Sequence, residues 1–324
     1  MLRRSYLKGA VLALAALTMP LNAHALDRIK VAYMKIPPLA SVIHGLQSGI
    51  FEKNGLAVSL TVVNSGPDLM TALASRTVDV GMTASAIVLI ARAKGLPLKA
   101  IGTADVEKAN DIRNWIVANS KEGIKSLKDI EGKVVGIVDK NGPADLMVRD
   151  HLMAAGVDPN SVKFVALPFP QLGPALEVGN VSAVHVTEPF HTQLMNSDKI
   201  DAVELAGGLT ATLAEDGPIS LGGWFAHDEW LADPKNKEIA ARFLKSILQS
   251  NRELDADRSL VNAIFEKDFG MPPPVAERVP LPLNTGSLVA EPSMYQSQIK
   301  ALVRTGIIAE EYPAEDAVEP IEYE

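Results

Sequence analysis

The chain has 324 residues, no cysteine and a formal net charge of −8. That length supports two domains with ordinary hydrophobic cores, while the absence of cysteine excludes disulfides, thiolate metal sites and a lipid-anchored lipoprotein. The acidic balance points to no nucleic-acid partner.

The first element is MLRRSYLKGAVLALAALTMPLNAHA, with a basic start, an apolar run over residues 10–17, and Ala23 and Ala25 flanking His24. This is the pattern of an export signal, residues 1–25, cleaved after Ala25. Arg3 and Arg4, followed by Ser5, Tyr6, Leu7 and Lys8, resemble the twin-arginine signal, and an ordinary export signal holding two arginines fits equally well. The apolar run is far shorter than the ~20 residues that cross a bilayer, and no later stretch is long enough, so the chain is not expected to span a membrane. Removing Arg3, Arg4 and Lys8 takes three positive charges away and leaves −11. A free, soluble monomer in the periplasm is the expectation.

Residues 29–83 and 132–187 then follow one plan, three successive strand, loop and helix units. In the first copy IKVAYM, AVSLTVV and TVDVGMT read as strands, each followed by a helical run; in the second the strands are KVVGIV, SVKFVAL and VSAVHVT. Strands alternating with helices give a mainly parallel sheet with right-handed crossovers, and ligands bind at the carboxyl ends of such strands. Two copies predict two lobes facing each other across a cleft. A fourth strand is expected at 98–103, a crossing segment at 104–113, a strand at 115–118 opening the second lobe, and a short amphipathic helix at 123–133. The chain returns over 210–220 into a strand at 219–226. Helical periodicity follows at 237–253 and 260–269, Pro272, Pro273 and Pro274 interrupt it, and a last helix spans 293–305. Because that block has no sheet of its own to cover, lobe I is expected to be discontinuous, 26–109 with 211–324, and lobe II to be 110–210. The tail at 310–324 holds seven acidic and no basic residues and reads as a solvated end.

The run GIFEKNGLAVSLTVVNSGPDLMTALASRTVDVGMTASA, and later WLADPKNKEIAARFLKSILQSNRELDAD, resemble periplasmic substrate-binding proteins of ABC importers in the nitrate, sulfonate and taurine group. The resemblance covers essentially the whole mature chain and rests on the order of many weak signals. It implies a two-lobed type II periplasmic-binding-protein fold, each lobe a mainly parallel sheet flanked by helices. It also implies a receptor that passes a small organic anion, such as a sulfonate, a taurine-like molecule or a carboxylate, to the membrane subunits of an ABC permease. An enzyme or sensor on the same fold, or a receptor for a pyrimidine-type thiamine precursor, are the alternatives.

Several loops at the strand ends open directly into helices, whose first amides carry a partial positive charge and can hold an anion without arginine. Ser65, Thr83, Ser85, Asn141 and Thr187 stand there as hydrogen-bonding candidates, although capping of its own helix is the simpler role for each. Leu39 and Trp224, with Phe169 and Phe190, are expected to pack on the organic part of a ligand. Glu188 caps a helix or binds an amine. His185, Glu188 and His191 are spaced by three, but Pro189 and a strand-to-helix change break any common face, so no metal is expected. No GxSxG, Walker loop or GxGxxG after a strand is present, so no catalytic residue and no cofactor are expected.

Overall fold

In the computed structural model, the described residues are 25–323 apart from 34–36, 64–65, 215–216, 280 and 282. The expected export signal therefore lies outside them except for Ala25. Ten strands are present among the described residues: β1 (Asp27–Tyr33), β2 (Leu56–Val62), β3 (Val80–Ala84), β4 (Leu98–Glu107), β5 (Trp115–Asn119), β6 (Val134–Ile137), β7 (Lys163–Ala166), β8 (Ala183–Val186), β9 (Ala202–Gly207) and β10 (Ile219–His227). They form two five-stranded sheets, ordered β2-β1-β3-β10-β4 and β7-β6-β8-β5-β9. The first three strands of each order run parallel. The fourth is antiparallel to both neighbours, β10 in the first sheet and β5 in the second.

These antiparallel strands are the ones that follow the two crossings between sheets. β4 runs four residues beyond the strand expected from sequence because β10 pairs with it as far as Ile219 opposite Glu107. The first crossing is thus confined to 108–114. All nine residues of β10 are buried. Gly223 is needed there, since a Cβ would lie 2.7 Å from the carbonyl oxygen of Gly102 on β4. The amphipathic helix expected at 123–133 is instead two short 3-10 turns, Ser120–Glu122 and Leu127–Ile130. The Asp129 carboxylate takes the amides of Lys125 and Ser126 and the Ser126 hydroxyl, and this local capture competes with helix propagation.

Helices cover both faces of the sheets. The longest, Pro234–Ala256, starts with proline in its first turn and with Asp233 accepting from the Lys235 amide at 2.9 Å, a favourable N-terminus. Its buried Ile239, Ala240, Phe243, Leu244, Ile247, Leu248, Asn251 and Leu254 recur at helical spacing and form one stripe. Phe243 meets Trp224 of β10 edge to face at 4.9 Å and stacks on Phe51 at 5.8 Å. On the other face of the first sheet, Leu89, Ile90, Tyr295 and Ile299 join a single apolar core with Leu146, Val148, Val135 and Ile137 of the second. The sheets are therefore packed together along one side. No described helix is long and apolar enough to cross a membrane.

One ion pair crosses this shared core. The Asp150 side chain, on helix Pro143–Ala154, is fully buried, and Oδ1 accepts from Arg304 Nε of helix Ser293–Arg304 at 2.7 Å. Removing one partner of such a pair strands a buried charge, whereas replacing both can be close to neutral. Arg304→Ala should lower unfolding stability by about 3 kcal/mol in urea titration, and the pair Asp150→Asn with Arg304→Met should recover most of that loss. Additive losses in the double variant would mean that the pair is not the cause.

Candidate functional site

A cavity of about 820 Å³ lies between the carboxyl ends of the two sheets. The first sheet supplies Thr83 and Ala84 at the end of β3, Thr103, Ala104, Asp105 and Glu107 at the end of β4, and Leu221, Gly222 and Trp224 from β10. The second supplies Val138 and Asp139 after β6, Phe169 after β7, and Thr187 and Glu188 after β8. Arg113, Asn114 and Trp115 enter from the first crossing and the start of β5. Apolar and aromatic surface dominates the wall, as in sites for organic ligands, whose volumes run from about 300 to 1,000 Å³.

Of the residues singled out from sequence, Thr83, Thr187, Glu188 and Trp224 line this cavity together. Leu39 is fully buried in the apolar cluster around Trp224 and Phe243 and is not among the lining residues. Ser85 is fully buried beside the Tyr295 hydroxyl, and it too is outside the lining. Asn141 is exposed, takes a left-handed conformation with φ 58, and donates its amide to Asp145 Oδ2 at 2.9 Å. It acts there as a turn residue, a position that asparagine tolerates. Ser65 lies outside the described residues. Phe169 lines the cavity, stacked on Phe190 with centroids 5.4 Å apart.

The helix starts behave differently from the expected anion cradles. Asp139 lies over the start of helix Pro143–Ala154, held by the amides of Asp145 and Ala144. A Cβ at Gly142 would sit 2.5 Å from the Asp139 carboxyl carbon, so only glycine lets the carboxylate occupy that place. Glu188 does the same at helix Phe190–Met195, accepting from the Thr192 hydroxyl at 3.0 Å, the Thr192 amide at 3.2 Å and His191 Nδ1 at 3.3 Å. Two positive helix ends are thus already neutralised from within. Among the described lining residues the charges are the carboxylates of Asp105, Glu107, Asp139 and Glu188 against one cation, Arg113.

Three further residues knit the wall together. Glu107, 3% exposed, accepts from the Thr210 hydroxyl on the returning segment, pairs with Arg113 at 3.0 Å, and receives Asn114 Nδ2 at 3.3 Å. Asn114 Oδ1 meets His185 Nε2 at 3.1 Å. Burial pushes the Glu107 carboxyl up, against the pull of Thr210 and Arg113, and pushes His185 down to about 4. Sequence spacing could not join these groups, because Glu107 and Thr210 are 103 positions apart and Asn114 and His185 are 71 apart. The metal pattern His185, Glu188 and His191 does not assemble: His191 stacks on Trp115 at 4.1 Å and bonds Glu188 and Glu204, while His185 turns to Asn114. No cluster able to hold a metal exists among the described residues.

A family model described as NMT1/THI5 like matches residues 37–252. A 4-amino-5-hydroxymethyl-2-methylpyrimidine phosphate synthase of Legionella pneumophila is 30% identical over 121 residues, 37% of this chain and 36% of that protein. The nitrate/nitrite binding protein NrtA of Nostoc sp. is 28% identical over 158 residues, 48% of this chain and 34% of that one. The chain spans about a third to a half of the length of the curated relatives it matches. Among solved structures, the periplasmic aliphatic sulphonate binding protein SsuA from Escherichia coli superposes with a TM-score of 0.70 at 16% identity, covering 92% of this chain and 94% of that one. That likeness establishes the type II periplasmic-binding-protein fold.

Burial pushes Asp139 up to about 6 from 3.8. A raised carboxyl destabilises the fold as pH climbs from about 4 to 6, where the unfolded chain has lost the proton and the folded one still holds it; above that the penalty is complete. Asp139→Asn should therefore gain melting temperature relative to the parent as pH rises through this window, and the gain should level off above pH 6. A pH-independent difference in calorimetry would show that Asp139 is not titrating there.

Proposed function

The chain belongs to the NMT1/THI5-like family, and from that premise we propose that it is an extracytoplasmic solute receptor of an ABC importer. The observation that carries this reading is the cavity of about 820 Å³ walled by both sheets at their carboxyl ends. In this reading residues 26–109 and 211–324 form lobe I, 110–210 form lobe II, residues 1–25 direct export to the periplasm, and the loaded form is recognised by permease subunits. Thr83, Thr187, Glu188 and Trp224 are the proposed ligand contacts.

The ligand is better described by its hydrogen-bond donors than by negative charge alone. A simple anion would meet four carboxylates and one guanidinium already paired to two of them, at helix starts that are self-capped. An amine or amino-heterocycle would instead complement Glu188, Asp139 and Asp105, while Trp115, Phe169 and Trp224 cover an organic body. Nitrate is also far too small for about 820 Å³. A taurine-like zwitterion and an aminopyrimidine both meet these demands. The pyrimidine phosphate synthase of Legionella pneumophila favours the second, and because that relative is named as an enzyme, turnover is measured alongside binding.

A ligand present at a hundred times its Kd raises apparent stability by about 2.7 kcal/mol. In a thermal-shift panel, taurine or 4-amino-5-hydroxymethyl-2-methylpyrimidine should raise the melting temperature, and ethanesulfonate and nitrate should not. Stabilisation by ethanesulfonate equal to that by taurine would return the reading to simple anions; formation of product from any panel member would favour an enzyme.

Contacts from both lobes can favour a closed arrangement, since a ligand shifts such an equilibrium only by its differential affinity. The segments 108–114 and 208–214 are the proposed hinges. Solution scattering at saturation should give a smaller radius of gyration than the empty protein, and an unchanged radius would argue against closure.

A further inference from the structure

Three polar atoms in side chains of the cavity wall are buried without a hydrogen-bond partner: His185 Nδ1, Asp139 Oδ1 and Arg113 Nε. Leaving buried polar atoms unpaired is costly, so a cavity wall that carries three favours an occupant that supplies a partner. His185 is the most constrained. It is 1% exposed, β8 places it on the cavity side next to the tilted ring of Phe169 at 6.5 Å, and its other nitrogen is fixed by Asn114.

The tautomer follows from the chain of bonds behind it. Glu107 pairs with Arg113 and takes the Thr210 hydroxyl, so it presents acceptor oxygens to Asn114. Asn114 must then turn its Nδ2 to Glu107 and its Oδ1 to the imidazole. An oxygen facing Nε2 requires a proton on Nε2, and a neutral imidazole carries only one, which leaves Nδ1 as a bare acceptor. The burial that lowers His185 to about 4 keeps the ring neutral at ordinary pH.

We propose that His185 is a specificity-determining residue of this cavity: locked by Asn114 as the Nε2–H tautomer, it offers Nδ1 to ligands that bring an N–H or O–H donor and rejects those that bring only acceptors. The complementary ligand is therefore a polar organic molecule that brings at least one N–H or O–H donor. This rests on the reading of the cavity as a solute site. Rejection works through unpaired groups: a ligand without the donor leaves Nδ1 buried and bare, the arrangement from which sites of this kind draw large discrimination.

The test is nitrogen-15 NMR of the histidine-labelled, full mature chain at neutral pH, with acetamidine, acetate and tetramethylammonium as probes. His185 is expected to show a protonated Nε2 and an unprotonated Nδ1, and acetamidine alone should move the Nδ1 resonance in the direction of an accepted hydrogen bond. Tetramethylammonium controls for charge without donors. Asn114→Leu should replace the single tautomer by an averaged pattern; if that variant does not fold, the parent spectrum decides. A protonated Nδ1 in the parent, or no response to acetamidine, overturns the proposal. A panel solute that stabilises the protein while Nδ1 is protonated defeats this inference and leaves the receptor reading intact. An Nε2–H tautomer that responds to acetamidine, with no stabilising solute, does the reverse.

Discussion

The pairing of β10 between β3 and β4 is the constraint from which the rest of the molecule follows. A strand buried along its whole length, with its amides and carbonyls engaged on both sides, cannot be left out without exposing two ladders of polar groups. The chain must therefore leave the first sheet after β4, build the second sheet, and come back. Both crossings then pass the same corner, where Glu107, Asn114 and Thr210 meet in one hydrogen-bonded knot. Trp224 on the same strand anchors the cavity on one side and the Phe243 stripe on the other.

The cavity wall owes its character to carboxylates that have turned inward. Asp139 and Glu188 serve their own helix starts and face the cavity at the same time. Burial alone would raise Glu188, but the Thr192 hydroxyl and amide and His191 outweigh it and hold the carboxyl below the usual range. At Asp139 burial outweighs the pull of the Asp145 and Ala144 amides, and the nearby Asp145 carboxylate adds to it, so the carboxyl is raised instead. Two acids that follow the first and third strands of the repeat in the second sheet thus differ in proton affinity because their neighbours differ.

Much of this fold was legible in the sequence, because strand, loop and helix periodicities recur twice and a strand follows the return; its antiparallel direction came only with the structure. Thr83 and Thr187 were legible as residues at corresponding strand ends, and both reach the cavity. The wall's polar relay was not, since Glu107, Asn114, His185 and Thr210 come together only through the two crossings. The loop holding Asn141 was found, but its chemistry was inverted: the amides expected to hold a ligand anion hold Asp139, and the cue was Gly142, the one residue small enough to admit that carboxylate. The helix expected at 123–133 was lost to Asp129, whose short side chain satisfies locally the amides that a helix would have used.

The Asp139 carboxylate over the start of helix Pro143–Ala154 has a consequence in the extracytoplasmic setting proposed above. Extracellular fluid is rich in chloride, phosphate and sulfate, and an open helix terminus would be occupied by whichever of these was most abundant. A tethered carboxylate is present at an effective concentration no dissolved salt attains, and it cannot be washed out or exchanged. The vacancy is closed to the ionic background in advance, so the composition of the surrounding medium does not set how much of the protein stands ready.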